Sequence, residues 1–103
     1  MRKIINKKVY DTKTAEFVAE YHNGYSHRDF RYVYERLYRS KKGQFFIHGE
    51  GGPLSRYSES YGNHTSGIET IVLLTKEETY EWLSEHNKLA EVEKYFSDII
   101  QEG

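Results

Sequence analysis

Two strand-like runs flank Ser40-Lys41-Lys42-Gly43, and this punctuation constrains the fold more than any other feature of the chain. Before it, Phe30–Arg39 is rich in aromatic and β-branched residues, and after it Gln44–His48 is almost wholly apolar. A short polar loop closed by glycine, between runs of that kind, predicts a β-hairpin with Gly43 at the positive-φ position. Strand alternation places Tyr32, Tyr34, Arg36 and Tyr38 on one side, and Val33, Glu35, Leu37 and Arg39 on the other. Neither side is cleanly apolar, which predicts an edge strand or a sheet with one partly exposed face. An edge strand at Phe30–Arg39 also offers a route to a homodimer by strand pairing.

Elements on either side complete the expected order. Ile4–Tyr10 reads as a short strand interrupted at Asn6-Lys7. Asp11 is placed to cap a helix over Thr12–Asn23, with Ala15, Val18, Ala19 and His22 on one helical face and Asn23-Gly24 as its stop. Gly49–Gly67 holds five glycines and the only proline and reads as irregular, with one helical turn over Ser55–Ser60. Ile68–Leu74 is short, apolar and β-branched, a buried strand. Thr75-Lys76-Glu77-Glu78 is a capping box that opens a helix to about His86, with Thr79, Trp82, Leu83 and His86 on one side. A second helix is expected over Leu89–Ile100 from the spacing of Leu89, Val92, Phe96, Ile99 and Ile100. The sequence therefore predicts one α+β domain over residues 1–103, in β-α-β-β-β-α-α order. About four antiparallel strands would be covered by helices on one face.

Composition narrows the functional classes. A chain of 103 residues buries roughly 60–70% of its unfolded surface, enough for one modest core. Cysteine is absent, which removes disulfides and thiolate metal sites. No apolar run approaches the ~18–20 residues of a membrane span, and MRKIINKK carries no apolar signal core. These features predict a cytoplasmic protein without membrane contact. The net charge of −1 conceals a polarity. Met1–Gly49 carries eleven Lys or Arg against five acids, and Glu69–Gly103 carries nine acids against three lysines. Such asymmetry points to charged partners.

Catalytic motifs are fragmentary. His27-Arg28-Asp29 spells a kinase triplet without a kinase's other signatures or length. His48-Gly49-Glu50-Gly51-Gly52 evokes an esterase oxyanion loop, but there is no G-x-S-x-G elbow and no phosphate-loop pattern. The loop reads instead as a tight turn in which glycine supplies unusual φ and Pro53 fixes the exit. The histidines His22, His27, His48, His64 and His86 lack ligand spacing, although His48 and Glu50 share a strand face. His22 and His86 are expected to face inward. The prediction is no catalytic residue, no metal and no cofactor. Two surfaces remain as candidate binding sites. One is a basic, aromatic hairpin formed by Arg31, Tyr34, Arg36, Tyr38, Arg39, Lys41 and Lys42, suited to phosphates, bases or a protein interface. The other is the row Glu77, Glu78, Glu81 and Glu85, which falls on one helix face opposite Trp82 and Leu83.

Val9-Tyr10-Asp11-Thr12, Asn23-Gly24-Tyr25, Asp29-Phe30, Leu37-Tyr38-Arg39, Gly43, His48-Gly49-Glu50-Gly51-Gly52-Pro53, Tyr57 and Leu74-Thr75 together form a recognisable pattern. It resembles a family of small proteins carried by phages, plasmids and conjugative elements of Firmicutes, some of which are similar to type II-A anti-CRISPR inhibitors of Cas9. The resemblance spans about residues 4–86. It implies inhibition by non-catalytic binding to Cas9 or to its guide-RNA complex inside the bacterial host cell. A carboxylate row facing an arginine-lined, positively charged groove suits that role. The alternative is a nucleic-acid-binding accessory or regulatory protein of a mobile element, using the basic hairpin.

Overall fold

A computed structural model describes residues 1–98 of the chain. The described residues form β1 (Arg2–Ile5), β2 (Lys8–Asp11), β3 (Glu16–His22), β4 (Val33–Arg39) and β5 (Phe45–Gly51). There follow β6 (Ser58–Tyr61), β7 (His64–Gly67), β8 (Glu69–Leu74), α1 (Lys76–Glu85) and α2 (Leu89–Phe96). The main sheet has the order β3-β4-β5-β8, all antiparallel, while β1-β2 and β6-β7 are separate hairpins. The fold is thus α+β, but its element order differs from the one expected. The final part of the second helix, with Ile99 and Ile100, lies outside the described residues.

The central hairpin forms as anticipated. Ser40 N donates to Gln44 O at 2.8 Å, Gly43 N donates to Ser40 O at 2.9 Å, and Gly43 has φ +92°. Of the two placements expected for this strand, the edge is overturned, because β4 is hydrogen-bonded to β3 on one side and β5 on the other, and a sheet with one partly exposed face is found instead. Strand pairing at Phe30–Arg39 therefore gives no route to a dimer, and the sheet's free edges belong to β3 and β8.

The helix expected over Thr12–Asn23 is absent. Asp11 does cap a turn: its Oδ1 accepts from Lys13 N at 2.9 Å, and Ala15 N donates to Asp11 O at 3.1 Å. That single turn then gives way to β3. A bulge explains the misleading pattern. Phe17 pairs with Tyr38 and Ala19 with Leu37, leaving Val18 as the extra residue. Val18 and Ala19 are consequently both buried, and two adjacent buried residues turn a period of two into an apparent helical spacing. His22, expected inside, is exposed. The helical turn over Ser55–Ser60 is likewise replaced by a bend leading into β6.

The helices cover one face of the sheet. Val18, Ala19, Leu37, Phe45 and Ile47 meet Trp82, Leu83, Val92 and Phe96, and Leu37 and Leu83 are completely buried. The capping box starts α1, with Glu78 N donating to Thr75 Oγ1 at 3.1 Å and Thr75 N donating to Glu78 Oε1 at 2.9 Å. His86 ends α1 half-buried, its ring stacked on Tyr21 and edge-on to Trp82. The opposite face is covered only at one end, where the β1-β2 hairpin brings Tyr10 against Phe46 and Ile71. Asn6 and Lys7 have φ of 52° and 67°, the two left-handed positions of a tight two-residue hairpin turn.

Beneath the helices lies one buried carboxylate, Glu35. Its Oε1 accepts from Trp82 Nε1 at 3.1 Å, its Oε2 accepts from the Tyr57 hydroxyl, and Arg56 Nη1 lies 3.5 Å away. Burial and this carboxylate together push the Tyr57 hydroxyl pKa well above its ordinary value. The network joins β4, the segment after β5, and α1. It also accounts for the glycine run. A Cβ on Gly49 would sit 2.1 Å from the Tyr57 ring, one on Gly51 2.7 Å from Tyr32 O, and one on Gly52 2.5 Å from Phe30 O. None of these three glycines has a positive φ, so close approach, not unusual φ, is what requires them.

Candidate functional site

The carboxylate row stands on α1 with its back to the core. Thr79, Trp82 and Leu83 are buried, so Glu77, Glu78, Glu81 and Glu85 are turned outward and exposed. Glu78 is committed to the cap of its own helix. Among the described residues, no ion pair within 4.0 Å engages Glu77, Glu81 or Glu85.

The basic, aromatic hairpin does not form one surface. Arg31 lies outside the strand, held by both Asp29 oxygens at 3.0 Å and stacked over Tyr25. That carboxylate holds the Arg31 guanidinium above its ordinary range. Arg39 projects to the helix side, against Phe45 and Tyr95. Tyr38 is on the other side but stacks on Phe46 within the small cluster under the hairpin. Lys41 and Lys42 are exposed at the tip. Only Tyr34 and Arg36 stay together, with the guanidinium 4.2 Å above the Tyr34 ring.

These two residues open onto a polar network on the uncovered part of the sheet, which strand alternation alone shows only in part. Arg36 Nη1 lies 3.1 Å from His48 Nδ1, and Arg36 Nη2 lies 3.7 Å from Glu50 Oε1. Arginine has only protons to give, so His48 Nδ1 accepts and the ring proton sits on Nε2. Nε2 lies 3.1 Å from Glu69 Oε1, but the oxygen is out of line, and this buried nitrogen has no hydrogen-bond partner. The His48 ring beside it holds the Glu69 carboxyl below its ordinary range. Tyr32 donates to Glu50 Oε1 at 3.0 Å, and burial, followed by that carboxylate, raises its hydroxyl to about 12. Tyr34 donates to Glu20 on β3, and the exposed rings of His22 and His27 lean on Tyr32.

The register of β5 against β8 builds this cluster by placing Glu50 directly opposite Glu69. His48 and Glu50 share a face by simple alternation. Glu69 is brought to them across the β6-β7 insertion, which no local spacing announces. Both His48 nitrogens face a charged neighbour, which fixes the orientation of the ring. Among the described residues, no three His, Cys, Asp or Glu side chains are grouped to hold a metal.

Comparison with protein-family models, curated proteins and solved structures finds no match to this chain. None of the described helices is long and apolar enough to cross a membrane.

Proposed function

We propose that this chain is a mobile-element-encoded anti-defence protein that inhibits a type II-A Cas9 by direct, non-catalytic binding in the bacterial cytoplasm. The observation that carries this reading is the difference between the two charged surfaces. Arg31 and Arg36 already face carboxylates of their own chain, whereas Glu77, Glu81 and Glu85 are exposed on a helix opened by a capping box, without such partners among the described residues. An uncommitted carboxylate row is suited to an arginine-lined groove that otherwise holds nucleic acid. The pattern from Val9-Tyr10-Asp11-Thr12 to Leu74-Thr75, which resembles proteins of phages and conjugative elements, supports the same reading.

The test is target cleavage by Cas9 with the purified protein added before or after guide loading. Inhibition is expected, and the combined reversal Glu77→Lys, Glu81→Lys and Glu85→Lys should weaken it by about tenfold or more. Glu78 is left intact because it caps the helix. Undiminished inhibition by the triple variant would remove the acidic face as the contact. A lack of inhibition in both orders would favour the second reading, a nucleic-acid-binding accessory protein, for which exposed Lys41 and Lys42 at the hairpin tip are the specific support. Binding of that kind falls steeply with salt.

A further inference from the structure

We infer that Glu50 and Glu69 form a receptor for a guanidinium group, the side chain of an arginine on a partner protein. Two carboxylates directly opposite each other on one face of an antiparallel pair repel, so their pairing costs stability unless a cation is shared between them. Among the described residues, each has a single basic side chain within 4.0 Å, and neither contact is a hydrogen bond. Arg36 lies 3.7 Å from Glu50, beyond hydrogen-bond range, and spends Nη1 on His48. Among the described residues, the only cationic or potentially cationic side chain within 4.0 Å of Glu69 is His48.

A second observation lies in His48 rather than in the two acids. His48 is more than nine-tenths buried, yet its Nε2 is unpartnered and aimed at Glu69. A ligand that grips the outer oxygen of Glu69 would turn the carboxylate and bring the inner oxygen into line with the Nε2 proton. The site is completed by occupancy, and His48 then locks Glu69 in the bound orientation.

The surroundings specify the cation. Glu50 and Glu69 border a shallow cavity of about 360 Å³ whose walls include Tyr32, His27, Pro53 and Ile68. Aromatic and apolar walls suit a flat, weakly hydrated cation, and side-by-side carboxylates match the fork of a guanidinium better than the point charge of an ammonium. A divalent ion is disfavoured, since these groups do not converge as a set of three metal ligands. The site lies on the sheet face away from the helices and stands independently of the α1 row.

The experiment is an NMR titration of the full chain with N-acetyl-arginine amide. N-acetyl-lysine amide, magnesium chloride and sodium chloride serve as comparisons. Arginine should give saturable shifts at the amides of residues 49–51 and 68–70 and at the His48 ring, with half-saturation on the order of millimolar. Lysine should bind about tenfold more weakly. Glu69→Gln should abolish the His48 ring shift and weaken arginine binding by about tenfold or more, while Glu93→Gln on α2 should leave the titration unchanged. If Glu69→Gln does not fold, Glu50→Gln should show the same weakening. Three outcomes overturn the proposal: arginine producing only the linear drift of sodium chloride, lysine or magnesium saturating the same residues at equal or lower concentration, or the carboxamide variant titrating as the unsubstituted chain does.

Discussion

The two faces of the β3-β4-β5-β8 sheet use the same kinds of side chain to opposite ends. On the helix-covered face, a lone carboxylate, Glu35, is fully buried and meets Trp82, Tyr57 and Arg56. On the other face, Arg36, His48, Glu50 and Glu69 form a network with an unpartnered nitrogen and two facing acids. A satisfied buried network specifies a core, whereas the proposed guanidinium receptor rests on the incompletely satisfied one. Adjacent residues of β4, Glu35 and Arg36, belong to the two networks.

Removing the satisfied network should have the largest effect. Glu35→Ala leaves the Trp82 N–H and the Tyr57 hydroxyl without an acceptor and opens a cavity, at an expected cost of about 3 kcal/mol. Glu35→Gln keeps one acceptor oxygen and should cost about half as much. Urea unfolding followed by Trp82 fluorescence reads both, since the indole lies in the network. A loss under about 1 kcal/mol for the alanine variant would show that the two faces do not differ in the way described.

The glycine run gives the next effect and separates packing from backbone freedom. Gly49→Ala places a methyl group 2.1 Å from the Tyr57 ring, which should cost about 1–3 kcal/mol by overpacking. Because φ at Gly49 is not in the left-handed region, the strain is lodged in the side-chain contact alone. Combining Gly49→Ala with Tyr57→Ala should therefore give a total loss smaller than the two single losses added, by about 1 kcal/mol in a double-mutant cycle. Strict additivity would return the requirement to the backbone.

Legibility from the sequence followed the range of the interaction concerned. The hairpin at Ser40–Gly43 and the capping box at Thr75–Glu78 are local hydrogen-bond devices, and both formed where their residues indicated. The run Thr12–Asn23 failed because the bulge at Val18 is set by pairing with β4, a partner some twenty residues away that periodicity does not register. Alternation puts Glu35 on the side of Val33 and Leu37 but does not explain its burial, because its three partners come from two distant segments. At the candidate site, His48 and Glu50 were visible as neighbours on one strand face. Glu69 was not, since its position depends on how β8 returns after the β6-β7 hairpin. Grouping the basic hairpin as one patch overrides the alternation that already separates Arg36 from Arg39 in the sequence, and the structure keeps the two on opposite faces.

The smallest effect is the most discriminating, because two opposing contributions nearly cancel in it. Glu69→Gln removes one of two facing charges and leaves an amide oxygen that can still lie near His48 Nε2. Relief of repulsion partly offsets the lost contact with His48. Stability at neutral pH should fall by no more than about 0.5 kcal/mol, while Glu35→Gln lowers it further. The depressed Glu69 carboxyl pKa fixes where the balance shifts. A carboxylate whose folded pKa lies below the ordinary 4.5 contributes stability above that pH and loses it as pH falls through the folded value. The difference between Glu69→Gln and the unsubstituted chain should therefore be flat near neutrality and change only below about pH 4.5, towards the variant. Thermal unfolding of both proteins across that range reads it. A loss at neutral pH as large as that of Glu35→Gln would make the open face a second structural network rather than a binding site.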